Sequence, residues 1–435
     1  MQKEILVRIE DINEKGYGIG RIADTVIEVP KALPNELVFV KLGRKKRARI
    51  VSIVEEDPSR TNALCPYVGF CGGCFWQNVK YTKQLELKQR VVDKIYSNIR
   101  GDFEIRKIIP SKKIFGYRGK MEFIFSKGRS SIALGLREYG HYDRIVDIFS
   151  CWLQSQKANT TMAAIRSRLA ILGYEPYNIK THDGFLRYLV MRSSFYNGEV
   201  LVIIITSSQN KLSLEYLVEN FDIDNVVWAI NDSLSDVATG EVKEVYGRGA
   251  IYEKALGYLF KVYPFSFYQS NPTQARVLFR LTKELGGYGD RALDLYCGIG
   301  TISIIISENF NEVIGIEVEE TSIKAANENK KMNDVNNVQF IVGKVEEKIR
   351  EFRDTKIDVV FVDPPRPGIH KTALEVLSKL GPSKIVYVSC NPRTQANDIA
   401  FLLRNGYELE IVQPIDMLPH TPHVETIAVL NRKEK

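Results

Sequence analysis

Cys390, in Tyr387-Val388-Ser389-Cys390-Asn391-Pro392, stands where an apolar run stops and turn residues begin, which places a thiol at the end of a strand. A thiol so placed can attack an electrophilic carbon when a base lies near it. Upstream, Asp363-Pro364-Pro365-Arg366 closes another apolar run, and its prolines pin the backbone beside the Asp363 carboxylate. Downstream, Glu425 begins the last apolar run, Val424 to Leu430. The fourth feature is Asp294-Leu295-Tyr296-Cys297-Gly298-Ile299-Gly300, which reads as a strand, a glycine turn and then a helix from Thr301. That order brings backbone amides close to a nucleotide.

Two glycines do not name the nucleotide, because the third glycine of Gly-x-Gly-x-x-Gly is missing. Val313 to Glu317 adds a second strand ending in a carboxylate, placed to accept hydrogen bonds from ribose hydroxyls, as in dinucleotide dehydrogenases too. The strand from Ile357 to Asp363 follows, and it ends in the Pro-Pro turn.

The elements that position these residues belong to an ordinary globular chain. It has 435 residues, 44% hydrophobic and 26% charged, enough for two or three domains. No apolar run reaches about 18 residues. Met1-Gln2-Lys3-Glu4-Ile5 lacks the plan of a secretory signal, so the expected location is cytoplasmic. A net charge of +7 favours a polyanionic partner only mildly. Six cysteines in a reducing compartment need packing, metal or catalytic accounts rather than disulfides. Four fall into one pattern, Cys65, Cys71-Gly72-Gly73-Cys74 and the distant Cys151. Zinc and an iron-sulfur cluster both accept four thiolates, and the spacing does not choose between them. The structural alternative is that Cys151 is an unrelated buried thiol.

Strand-like runs at Ile5 to Ile9, Thr25 to Val29, Glu36 to Lys41 and Arg47 to Val54 predict a small barrel over residues 1–55. Gly16-Tyr17-Gly18-Ile19-Gly20 reads as a bulged connection and Leu33-Pro34-Asn35-Glu36 as a turn. Leu85, Leu87, Val91, Val92, Ile95 and Tyr96 share one face of a helix from about Tyr81 to Ile99. Residues 56–262 read as α+β, with strands at Leu189 to Ser193 and Val200 to Thr206 and a helix around Met162 to Leu172. Residues 263–435 alternate strand and helix, which predicts a doubly wound, largely parallel sheet.

The series of glycine turn, Asp-Pro-Pro-Arg, Cys and Glu resembles the S-adenosylmethionine-dependent RNA methyltransferases that make 5-methyluridine, over nearly the whole chain. The resemblance implies a class I, Rossmann-like α/β methyltransferase domain, an N-terminal OB-like TRAM barrel and a central α+β domain. It implies that Gln269, Tyr296, Thr301, Glu317 and Asp363 surround the methyl donor, S-adenosyl-L-methionine. Lys344, after Gly343, departs from the short polar or acidic side chain common there and is given no role. Cys65, Cys71, Cys74 and Cys151 are similar to the [4Fe-4S] site of the ribosomal RNA branch. That cluster would fix the fold or grip RNA, since methyl transfer moves no net electrons.

The implied reaction accounts for the residue types. C5 of uracil is a weak nucleophile until a thiolate adds to C6, after which it can take the methyl group and a base can remove its proton. Cys390 would supply the thiolate and Glu425 the base. The last strand of a class I methyltransferase runs antiparallel, so its start would lie at the edge where Cys390 ends an earlier strand. A buried structural thiol and a surface carboxylate are the bland alternatives. Cytosine methyltransferases place a second Cys in the Asp-x-Pro loop, which is absent from Asp363-Pro364-Pro365-Arg366. A non-catalytic RNA-binding protein would have lost Cys390, Glu425 or the donor loop. The expected substrate is therefore a uridine of structured RNA, 23S ribosomal RNA ahead of transfer RNA, extracted from its stack by a monomer with no membrane association. Arg44-Lys45-Lys46-Arg47-x-Arg49, Arg118 and Lys120 are expected to hold phosphates, and Phe75 and Trp76 to pack beside the cysteines. Cys297 reads as a packing residue, and His420 and His423, lacking a third ligand, as loop or pocket residues.

Overall fold

A computed structural model describes residues 4–43, 47–128 and 132–433. Strands β1 (Ile5–Ile12), β2 (Gly18–Ile22), β3 (Thr25–Val29), β4 (Leu37–Leu42) and β5 (Ala48–Glu55) precede helix α1 (Tyr81–Tyr96) and the short strand β6 (Glu104–Ile105). Next come β7 (Lys120–Lys127), β8 (Ile132–Arg137), β9 (Ile145–Asp147), α2 (Gln156–Ile171), β10 (Leu186–Ser193) and β11 (Val200–Thr206). They are followed by α3 (Leu214–Val218), β12 (Asn225–Ile230), β13 (Glu241–Tyr246), β14 (Ile251–Ala255) and β15 (Tyr258–Val262). Helix and strand then alternate: α4 (Pro272–Gly286), β16 (Gly289–Leu295), α5 (Thr301–Ile306), β17 (Phe310–Glu317), α6 (Glu320–Met332), β18 (Val338–Val342) and α7 (Val345–Lys348). The chain finishes with β19 (Val359–Val362), α8 (Lys371–Leu380), β20 (Lys384–Ser389), α9 (Pro392–Arg404), β21 (Tyr407–Ile415) and β22 (Glu425–Arg432).

Two compact units result. The first comprises Met1–Val68, Cys74–Ser111 and Phe352–Lys435, and the second Gly69–Gly73 and Lys112–Glu351.

In the first unit, β3-β2-β1-β4-β5 form an antiparallel sheet whose alternating pattern buries Val7, Ile9, Ile27, Val29, Val38 and Val40. The edge of β3 meets the residue before β5 at one isolated bridge, Glu28 to Arg47, and among the described residues no ladder closes the sheet into a barrel. Of the segment read as a bulged connection, Gly16 and Tyr17 lie in the turn after β1, while Gly18 to Gly20 belong to strand β2. The glycines there serve close approach, since a Cβ on Gly20 would lie 2.5 Å from Val7, and the bulge falls in β1 between Ile9 and Asp11. Arg44, Lys45 and Lys46 of the basic rim lie outside the described residues; Arg47 pairs with Glu28 at 3.6 Å.

The same unit holds the strand order β19-β20-β22-β21-β6. β19 and β20 are parallel and almost wholly buried, as their continuous apolar runs require. β22 runs antiparallel to both neighbours, and β6 adds a parallel edge to β21.

The second unit contains the seven-stranded sheet β13-β12-β11-β10-β7-β8-β9, the hairpin β14-β15 and the parallel order β18-β17-β16. Every residue of β10 and β11 is buried. No helix among the described residues is long and apolar enough to cross a membrane.

Candidate active site

β20 and β22 pair in register as far as Ser389 opposite Thr426. Cys390 is the residue after Ser389 and Glu425 the residue before Thr426, so thiol and carboxyl emerge together at the end of this antiparallel pair. Opposed positions in such a pair face the same side of the sheet. The turn after Cys390 is fixed from within: Ser389 Oγ accepts from the Asn391 amide at 3.0 Å, and Pro392 opens α9. The Asn391 side chain and Thr394 Oγ1 both donate to the Arg366 carbonyl, at 3.0 and 3.2 Å. Asp398 of α9 accepts from the Ile369 amide at 2.9 Å and the Tyr387 hydroxyl at 2.7 Å. The Asp-Pro-Pro-Arg loop, the cysteine turn and β20 therefore form one hydrogen-bonded block.

The electrostatics follow from that block. Glu425 is buried, and burial pushes its carboxyl up to about 8; the nearby Asp363 charge adds to the rise and Arg366 opposes it. Burial also pushes the half-buried Cys390 thiol up to about 11, with Glu425 and Asp363 adding to it and Arg366 again opposing. Burial thus favours the protonated form of both groups. Arg366 is the cation that acts on both, a role the sequence reading did not give it; its place at the end of the Asp-Pro-Pro-Arg loop was the available signal.

In the second unit, β16 delivers Tyr296 in a left-handed conformation, φ 65°, with the Tyr296 and Cys297 amides both donating to the Ile316 carbonyl at 2.9 and 3.1 Å. Gly300, φ 79°, turns the chain into α5, and a Cβ there would lie 2.5 Å from the Phe340 ring. Buried Asp294 fastens the first turn of α5, accepting from the Ser303 amide at 2.9 Å and hydroxyl at 2.5 Å. Burial, with Glu317 adding, pushes the Asp294 carboxyl up to about 7 against those hydrogen bonds. Glu317, at the end of β17, accepts from the Val318, Glu319 and Gly298 amides at 2.7, 3.1 and 3.1 Å. A carboxylate offers about four acceptor sites, so one remains for a ligand hydroxyl. Thr301 is buried at the helix start, and Gln269 is half-buried in the loop before α4. Cys297 is buried, and burial raises its thiol well above the usual range, as a packing residue requires. Lys344 is exposed and pairs with Glu347 at 3.8 Å.

A cavity of about 1110 Å³ in the second unit is lined by Arg118, Lys120, Arg192, Tyr142 and Phe267 among others. Burial lowers the Lys120 amine, and Arg192 and Arg118 lower it further against the opposing pull of Glu122. Tyr142 and Phe267 are exposed.

Of the four patterned cysteines, Cys65 and Cys74 lie in the first unit, where the Gln77 side chain accepts from the Cys65 amide at 2.8 Å and donates to Cys74 Sγ at 3.6 Å. Cys71 and Cys151 lie in the second, where the Gly73 amide donates to Cys71 Sγ at 3.3 Å and the Cys151 amide to Asn159 at 2.8 Å. Among the described residues, no three His, Cys, Asp or Glu side chains assemble as a metal-ligand set. Phe75 stacks on Tyr17 with ring centroids 5.6 Å apart, and Trp76 is fully buried, which is the packing expected of them. His420 is buried and His423 exposed.

A protein-family model described as tRNA (Uracil-5-)-methyltransferase matches residues 241–433. An uncharacterized RNA methyltransferase of Caldanaerobacter subterraneus subsp. tengcongensis is 37% identical, the match covering 98% of each chain. Another from Nanoarchaeum equitans is 35% identical over 98% of this chain and 93% of its own length. Among solved structures, the Pyrococcus abyssi tRNA (uracil-54, C5)-methyltransferase in complex with S-adenosyl-L-homocysteine superposes with a TM-score of 0.81 at 31% identity. It covers 98% of this chain and 100% of its own.

Proposed function

This chain belongs to the RNA uracil-5-methyltransferase family, and from that premise we propose that it transfers the methyl group of S-adenosylmethionine to C5 of a uridine in structured RNA through a covalent Cys390 adduct. The observation that carries the reading is Cys390 and Glu425 side by side at the end of β20 and β22, both under the influence of Asp363 and Arg366.

The Cys390 thiolate bonds to C6, and the C5–C6 π pair moves onto C5. C5 then bonds to the methyl carbon, whose bond to the sulfonium breaks with its electrons left on sulfur. Glu425 takes the C5 proton, the pair returns to form C5=C6, and the C6–sulfur bond breaks to release the thiolate. Asp363 raises both reacting groups, so positive charge from the donor placed beside it lowers both toward their working forms. Gln269, Tyr296, Thr301, Glu317 and Asp363 hold the donor in this reading.

Residues 1–55 act as a TRAM-like RNA-binding module, 56–262 as the central domain and 263–435 as the methyltransferase domain, in a cytoplasmic monomer. The cavity with Arg118 and Lys120 meets RNA phosphates, and its exposed aromatics meet unpaired bases. Cys65, Cys71, Cys74 and Cys151 hold a [4Fe-4S] cluster that stiffens the loop; the N–H···S bonds to Cys71 and Cys74, of the kind that stabilise thiolates, support this assignment.

Ribosomal RNA is the first reading of the substrate, supported by the N-terminal sheet and the four-cysteine pattern. Transfer RNA is the second, favoured by the similarity to the Pyrococcus abyssi enzyme. Mapping 5-methyluridine in both RNA classes, from cells with and without the protein, decides between them; no lost site in either would refute the proposal.

A further inference from the structure

Three side chains on one face of α1 reach the segment that leads into Glu425. The Lys88 amine, fully buried, donates to Asp416 Oδ1 at 2.5 Å and to the Leu418 carbonyl at 3.0 Å. The Tyr81 hydroxyl donates to Asp416 Oδ2 at 2.7 Å and accepts from the Ser111 amide at 2.7 Å. The Gln84 side chain accepts from the His420 amide at 2.8 Å, and its nitrogen lies 3.1 Å from His420 Nδ1. From the other side, the Phe75 and Trp76 amides donate to the His420 carbonyl at 2.7 and 3.0 Å.

This clamp sits next to Glu425 in the ladder, because Glu425 pairs across β21 and β22 with Ile415, the residue before Asp416. The excursion from Asp416 to Val424 therefore leaves and re-enters the sheet around the carboxyl. His420 turns it at φ 67°, an uncommon conformation that the surrounding hydrogen bonds over-determine. Burying an ion pair contributes little net stability, since desolvation offsets the attraction; an apolar pair would pack as well. A buried charged pair can instead restrict the segment to one geometry.

We propose that Lys88, Tyr81 and Gln84 are positioning residues for Glu425, locking the Asp416–His420 segment so that the carboxyl meets the C5 proton of the methylated adduct. The proposal rests on the role given to Glu425 above, and its test separates the two.

The test uses Lys88→Met combined with Asp416→Leu, which removes the charges without leaving one unpaired. Cooperative thermal unfolding establishes that the double variant is folded. With labelled donor and native RNA in a single turnover, methyl transfer into the covalent adduct should stay within about threefold of wild type. Release of methylated RNA should slow by about 10- to 100-fold, so that labelled adduct accumulates. If release is unchanged, or both steps slow together, the positioning role is overturned. Should the double variant not fold, Tyr81→Phe gives the same comparison by removing the two hydrogen bonds of one hydroxyl, with a smaller selective slowing of release expected and an unchanged release overturning the idea. If Glu425→Gln itself accumulates no adduct, the failure belongs to the assignment of the base instead.

Discussion

The side-chain amide of Asn391 donates to the backbone carbonyl of Arg366 at 3.0 Å. One bond thus joins the turn that carries Cys390 to the loop that carries Asp363 and Arg366. The acid and the cation consequently act on the thiol and on Glu425 from fixed positions, and changing either should move both titrations in a direction known in advance.

Glu425 takes the C5 proton only when deprotonated, so single-turnover release of methylated RNA should rise with pH through about 8, where Glu425 titrates. Asp363→Asn removes a charge that raises both groups and should shift the profile to lower pH. Arg366→Gln removes the cation that lowers them and should shift it higher. Profiles that fail to move in opposite directions would show that these charges do not set the reactive protonation states.

The same shift has a consequence for stability. Glu425 is raised from 4.5 to about 8 on folding, so its contribution is fully present below about 4.5 and is lost as pH rises through about 8. Glu425→Gln should therefore gain melting temperature relative to the parent as pH rises from about 5 to about 8. A constant difference across that range would contradict the buried, proton-holding carboxyl.

Replacing the nucleophile separates chemistry from donor binding. Cys390→Ala should reduce methylation to background while calorimetry still shows donor binding within a few-fold of the parent. Sustained turnover on the native RNA would exclude covalent catalysis by Cys390.

Glu425→Gln should methylate the base yet fail to release it, leaving a protein–RNA species that survives denaturing electrophoresis, carries the labelled methyl group and vanishes when Cys390 is also changed. Loss of a general base typically costs about 10²- to 10⁴-fold. Normal turnover would assign the proton to another acceptor.

For the cysteines the readout is composition rather than activity. Anaerobically purified protein should contain iron and sulfide, and Cys151→Ser should lose both. Stoichiometric zinc in colourless anaerobic protein would replace the cluster assignment.

Much of this was legible in sequence because parallel strands buried on both faces leave long apolar runs with chemistry at their ends. β17 and the end of β20 could be located that way to within three residues, and β22, antiparallel to its neighbours but equally apolar, to within two. β2 was missed because three glycines in five residues look like a turn, whereas Gly18 and Gly20 lie inside the strand, where they pass close over Ile9 and Val7. The open edge between β3 and β5 depends on pairing between strands, which alternation within each strand does not report. Lys88 and Asp416 were invisible for a different reason. Each looks like an ordinary surface charge until the fold brings together residues that lie 328 apart and buries both.

The edge strand β6 completes the first unit's mixed sheet by pairing Glu104 and Ile105 with Ile411 and Val412 of β21. As the chain emerges from the ribosome, the α1 segment with its lysine is made long before the aspartate and the strands that will cover it. The sheet around the reactive cysteine can close only after nearly the whole polypeptide has been synthesised. Such long-range pairing is slow, and until it forms, Lys88 stays hydrated and the apolar face of α1 is exposed. Completion of the catalytic end and burial of the early helix are thus one late folding event, so a chain stalled before β21 lacks both.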